Sequence, residues 1–203
     1  MRRYMAPMEG ITTWLFRGEH HRMFGGADRY YMPFFSPTAE HLITARERRD
    51  LDPAHNEGVV AVPQIMTRRA EDFLWAAGEL AALGYREVNL NLGCPSGTVA
   101  AKGKGAGFLA HPEELDAFFD RVFSGASPVR ISVKTRLGVR EPEEFGRLLE
   151  VYNRYPIAEL IVHARVQRDF YRLPVRTEAF ASALEGSRIP VCCNGDQNLS
   201  SPD

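Results

Sequence analysis

Cys94 lies in the run NLNLGCPSGTVAAKGKGAG, flanked by Gly93 and Pro95 and followed by Gly97, Gly103, Gly105 and Gly107. Backbone this rich in glycine can approach a ligand closely or move as a lid. A cysteine by itself is equally at home as a small buried hydrophobe. No histidine or acid stands close by in sequence, so thiolate nucleophilic catalysis is not singled out. An ordinary thiol titrates at roughly 8.5, is protonated at neutral pH, and suits proton donation. The glycine run fails as a Walker phosphate loop, because Lys104 is followed by Gly105 and Ala106 rather than by Ser or Thr. Lys102 and Lys104 read either as contacts to a polyanion or as part of a solvated loop.

Other residues carry chemistry at comparable places. Lys134 ends the apolar run VRISVK, where an ammonium would face a bound anion or an electron-rich cofactor. His163 follows LIV and reads as a core histidine or a site residue. Gln64 follows VVAVP and offers a paired donor and acceptor to the edge of a planar heterocycle. Asn194, Gly195 and Asp196 form a turn signature that needs no function, yet they stand where barrel enzymes often bind phosphate. The arginines at 46, 48, 49, 68 and 69 read as surface ion-pair partners. Arg165, Arg168, Arg172 and Arg176, interleaved with Phe170 and Tyr171, have the composition of an RNA-reading loop.

Strands and helices must bring these residues together. Strand-like runs fall at 4–8, 30–35, 59–65, 87–92, 129–134, 160–163 and 190–194, several of them nearly continuous in apolar residues, as suits a parallel sheet. Between them, Thr67 can cap a helix that buries Phe73, Leu74, Ala77, Leu80 and Ala81 and ends at Gly84. Pro112 opens a helix bearing Leu115, Phe118, Phe119 and Val122, and Pro142 one bearing Phe145, Leu148, Leu149 and Tyr152. Such alternation predicts an α/β fold. Met8, Gln64, Asn91 with Cys94, Lys134, His163 and Asn194 then fall at the C-terminal ends of different strands, the place where a (β/α)8 barrel builds its active site. The first turn, APMEGITT, lacks the GxGxxG of a dinucleotide sheet. The fold class read here is therefore α/β, a (β/α)8 TIM barrel truncated after about the seventh strand.

Composition narrows the rest. The 203 residues are 44% hydrophobic and 25% charged with formal net charge −1, which excludes a disordered chain and gives no global argument for nucleic-acid binding. No apolar run is long enough to span a bilayer, and MRRYMAPMEG lacks the apolar core of a secretory signal. Cys94, Cys192 and Cys193 form no CxxC, so neither a disulfide scaffold nor a metal site is expected, and a reducing compartment fits. Cys192 and Cys193 are adjacent on a strand and read as structural.

Taken in order, APMEGITT, PQI, NLNLGCPSG, KGKGAGFL, VKTRLG, VHAR and CNGD resemble the tRNA-dihydrouridine synthase family across the whole chain. The resemblance implies a flavin barrel, with FMN tightly bound, that reduces particular uridines of tRNA to 5,6-dihydrouridine using NADPH. Position by position, it implies that Pro7, Met8 and Glu9 lie along the flavin ring and that Gln64 and Lys134 hold its pyrimidine edge. His163 would contact the flavin, and Asn194, Gly195 and Asp196 would lie on its phosphate side. Cys94 matches the catalytic cysteine, Asn91 a residue near the substrate uracil, and Lys102, Lys104 and Arg165 are expected on the substrate. Ala164 stands where many members have glycine. The resemblance also implies a cytoplasmic monomer with tRNA as partner and no membrane. Residues 1–203 would be a catalytic domain lacking the eighth βα unit and the C-terminal helical tRNA-binding domain. The alternatives are an FMN barrel acting on free pyrimidines and an inactive RNA-binding remnant.

Overall fold

The computed structural model describes residues 2–125 and 127–196. The last segment, 197–203, where the sequence reading starts the helix after the seventh strand, lies outside the described residues. Along the chain run β1 (Tyr4–Met5), α1 (Trp14–Phe24), β2 (Arg29–Phe35), α2 (Ala45–Leu51), β3 (Ala61–Ile65), α3 (Ala70–Ala82) and β4 (Glu87–Leu92). They are followed by α4 (Gly97–Ala100), α5 (Pro112–Phe123), β5 (Arg130–Arg136), α6 (Glu144–Tyr152), β6 (Leu160–His163), α7 (Thr177–Gly186) and β7 (Val191–Asn194). The seven strands are parallel and stand in chain order, each hydrogen-bonded to the next. A doubly wound sheet would reverse its strand order at a switch point. This curled sheet has none, and with helices between its strands it is the arrangement of a (β/α) barrel, here with seven strands among the described residues.

The two faces of the sheet differ in kind. Outward residues such as Val88, Leu90, Leu92, Ile131, Val133, Leu160 and Val162 join the helices in one large apolar core. Inward residues form only a small apolar cluster of Tyr31, Val62 and Ile161, with Tyr4 and Cys192 against it. The rest of the interior is polar: Gln64, Asn89 and Ser132 are fully buried, and Asn91 and His163 nearly so. Barrel interiors are normally filled by branched aliphatic side chains, so a polar interior calls for a chemical reason. At the N-terminal end of the sheet, Arg29 bridges Glu87 at 3.2 Å and Glu159 at 3.0 Å, and the Tyr4 hydroxyl donates to Glu159.

Most predicted strands stand within two residues of their expected bounds. The first is shorter, because pairing with β2 ends at Met5↔Tyr30. Pro7 cannot donate to a ladder, and the chain turns at once: the Met8 carbonyl accepts from the amides of Ile11 and Thr12. β5 runs on to Arg136, beyond the predicted end. In α3 the buried stripe is Ala70, Phe73, Ala76, Ala77 and Leu80, whereas Leu74 is exposed. Thr67 does not cap this helix: its hydroxyl accepts from the Arg69 amide and donates to Asp72.

Candidate active site

The C-terminal strand ends converge as the sequence implies, but the side chains divide into those spent on one another and those left free. Asn91 is the centre of the first group. Its Oδ1 accepts from the amides of Gly93 at 3.0 Å and Cys94 at 2.9 Å. Since both partners can only donate, the amide orientation is fixed, and Nδ2 must face Gln64. Gln64 therefore presents Oε1 to Asn91 at 2.7 Å and turns Nε2 to Asn89 Oδ1 at 2.7 Å, while Asn89 Nδ2 donates to Ser132 at 2.9 Å. The ladder across β3, β4 and β5 satisfies buried polar groups whose neglect would cost about 1–3 kcal/mol each. Gln64 thus spends one amide hydrogen and its oxygen inside the barrel, and Asn91 holds the turn that carries Cys94.

Cys94 itself is partly buried, and burial raises its thiol above the ordinary value, with Glu9 adding to the effect. The protonated form is therefore the resting one. The glycine-rich stretch behind it divides: residues 105–109 are buried, whereas Gly97, Thr98, Ala101 and Lys102 are exposed. The Ala106 amide donates to the Cys94 carbonyl at 3.0 Å. Gly105 has φ +55°, and a Cβ there would stand 2.9 Å from the Cys94 oxygen, so the close approach requires glycine.

Lys134 belongs to the free group. It pairs in register with Asn91, and a Cβ built on Gly93 would lie 3.9 Å from its Nζ. Burial, helped by the nearby Arg136, lowers its pKa to about 8. Among the described residues the ammonium has no hydrogen-bond acceptor. It faces the open seam between β1 and β7, which runs from Arg3, Tyr4 and Glu159 at the N-terminal end of the sheet to Ala6, Pro7 and Asn194 at the other. An ammonium desolvated without an acceptor, among the strand ends that carry Asn91 and His163, fits an electron-rich planar ligand. Met8 and Glu9 are exposed beside it, in the turn after β1.

His163 stands opposite Asn194 in register. Its Nε2 lies 2.9 Å from Arg165 Nη1, which can only donate, so Nε2 is the acceptor and Nδ1 carries the proton. Burial and the neighbouring cations Lys134, Arg136 and Arg165 lower its pKa to about 3, leaving a neutral ring. Gly195, with φ +127°, passes so close that a Cβ would be 2.4 Å from Val175 and 3.4 Å from His163 Nε2.

The structure redistributes the expected substrate contacts. Lys102 is exposed. Lys104 is half-buried, and its ammonium donates to Ser36 at 2.9 Å. Arg165 is 3% exposed and engages Asp196, His163 and the Leu173 carbonyl, which corrects its placement on a surface RNA-reading patch. Arg176 is paired with Asp169, so Arg168 and Arg172 are the exposed cations of that loop. Sequence reasoning missed Arg136. Its Nε donates to the Gly93 carbonyl at 2.9 Å and Nη1 to those of Val166 and Phe170, with the guanidinium 5.2 Å from the Tyr171 ring centroid. The signal was available: Arg136 follows Lys134 by two residues, and a strand of period two puts both on one face.

The sequence profile described as dihydrouridine synthase (Dus) matches residues 4–199. A tRNA-dihydrouridine(16) synthase of Ralstonia nicotianae is 31% identical over 199 residues, covering 95% of this chain and 60% of that protein. A probable tRNA-dihydrouridine synthase of Staphylococcus aureus is 30% identical over 198 residues, with 94% and 57% covered. The chain thus spans little more than half the length of these curated relatives. Among solved structures, a variant of NCR from Zymomonas mobilis superposes with TM-score 0.63 at 14% identity, over 98% of this chain and 76% of that one. That likeness concerns the fold.

Proposed function

From the premise that this chain belongs to the dihydrouridine synthase family, we propose that residues 1–203 are a catalytic barrel domain that reduces uridines of tRNA to 5,6-dihydrouridine. The observation that carries the reading is the Cys94 turn: a thiol kept protonated by burial, on backbone fixed by Asn91, beside the ammonium of Lys134. FMN would be held tightly by Lys134, Pro7, Met8, Glu9 and the turn Asn194, Gly195 and Asp196, with His163 and Gln64 as neighbours. When bound it supplies hydride chemistry, with NADPH as reductant. Saturating the uracil C5–C6 bond takes a hydride at C6 and a proton at C5. Cys94 holds that proton at Sγ and gives it up, and the resulting thiolate recovers one from water. Lys134 and Arg136 are the nearby cations that favour the thiolate while it lasts. Lys134 also balances negative charge gathering on a reduced ring. Arg168, Arg172 and Lys102 are the exposed cations offered to tRNA phosphates. The protein is proposed to work as a monomer in the cytoplasm.

The test is to load the purified chain with FMN and follow NADPH oxidation with unmodified tRNA or with free uracil, measuring dihydrouridine by mass spectrometry. Turnover with tRNA alone is the expected result; turnover with free uracil would make this a pyrimidine reductase. Cys94→Ala should retain flavin and lower tRNA reduction by about 100-fold or more, as loss of a general acid does. Unchanged turnover would remove Cys94 from the mechanism.

A further inference from the structure

Lys104 is half-buried, and its ammonium has a defined partner. Its Nζ donates to Ser36 Oγ at 2.9 Å, and Ser36 in turn donates its only hydroxyl proton to the Met66 carbonyl at 2.7 Å. The hydroxyl can therefore only accept from the ammonium. Ser36 follows β2 and Met66 follows β3, so the side chain of Lys104 ties the glycine-rich segment to the ends of two neighbouring strands. The backbone of the same residue is engaged on the other side: its amide donates to Val99, and its carbonyl accepts from Gly107 at 3.0 Å. The next two residues are those that touch Cys94, Gly105 by close approach and Ala106 by hydrogen bond to the Cys94 carbonyl.

We propose that Lys104 is a positioning residue for Cys94: anchored on Ser36, it clamps the 105–106 backbone against the Cys94 turn and fixes the thiol at the mouth of the barrel. The proposal rests on the reading of Cys94 as the proton donor. It withdraws Lys104 from the RNA-facing cations and leaves Lys102 there. Asn91 secures the Cys94 turn from the barrel side and Lys104 secures it from the rim. Losing either anchor should leave the thiol in place on average but loosely held.

Ser36→Ala removes the anchor and leaves the charge, Lys104→Met removes both, and Ser36→Thr keeps the hydroxyl. In the full chain, peptide-resolved mass spectrometry follows alkylation of Cys94 by iodoacetamide, which does not depend on any activity. With the clamp lost, Ser36→Ala and Lys104→Met should both alkylate about 3-fold faster or more, as exposure of a thiol grows, and Ser36→Thr should match the wild type. With FMN and tRNA, the first two should lower kcat by about 10-fold while tRNA Kd stays put, since misplacing a reacting group costs rate rather than binding. Unchanged alkylation in both variants, or weaker tRNA binding in Lys104→Met alone with a shallower salt dependence, would overturn the proposal and return Lys104 to the substrate. A wild-type chain that reduces no tRNA would defeat the functional reading, while the alkylation comparison would still decide the clamp.

Discussion

Lys134 and Arg136 stand two apart on β5, and both guanidinium and ammonium are held against their ordinary hydration. A lysine lowered from 10.5 to about 8 is a standing cost to the fold. Between those pH values the unfolded chain binds the proton that the folded chain has released, so stability rises as pH rises through the window. Lys134→Met should accordingly stabilise the flavin-free protein at pH 7 by about 1–3 kcal/mol. That advantage should shrink between pH 8 and 10.5, as urea midpoints at the two ends would register. At this scale the sequence was informative about position and less so about occupation. Strand ends located Gln64, Asn91, Lys134 and His163, because a (β/α) barrel gathers the C-terminal ends of its strands at one face. Position does not assign partners, and so the mutual engagement of Gln64 and Asn91, the burial of Arg165 and the bond from Lys104 to Ser36 were not legible. Charged residue types suggest surface until their acceptors are seen.

At the scale of elements, the segment after β4 is shaped by what its glycines exclude. A Cβ on Gly107 would stand 2.5 Å from the Ala100 carbonyl oxygen and 2.7 Å from its Cα, both backbone atoms of α4. Gly107→Ala should therefore push α4 from its seat and cost about 1–3 kcal/mol of stability. Gly97→Ala, with nothing within 4 Å of the new methyl, is the control expected to stay near neutral by thermal denaturation. The helices that sequence reading located, α3, α5 and α6, are those with a regular apolar stripe. It passed over α1, and the reason is physical: its fully buried residue is Arg17, which donates to Thr12, Asp50 and Asn56 rather than packing against apolar neighbours. A helix that buries a guanidinium breaks the periodicity by which helices are recognised. The same network fixes the turn after β1, through Thr12 to Met8.

Taken whole, the molecule keeps its apolar core outside the sheet and its chemistry inside. One consequence is acid sensitivity with an identifiable source. His163 falls from 6.5 unfolded to about 3 folded, so its contribution is complete above pH 6.5 and is lost as pH drops toward 3. Replacing His163 by Gln should flatten the acid side of the stability curve by on the order of 2 kcal/mol, seen in urea titrations at stepped pH; an unchanged acid limb would mean that the ring is not held neutral. Another consequence follows from strand order. Among the described residues, each strand from β2 onward finds a hydrogen-bonding partner in the one synthesised just before it. Each such pairing closes a loop of one βα unit, and no described pairing closes a longer one. A ribosome emitting this chain can therefore lay down the sheet one βα unit at a time, with each new unit templated on an edge already in place.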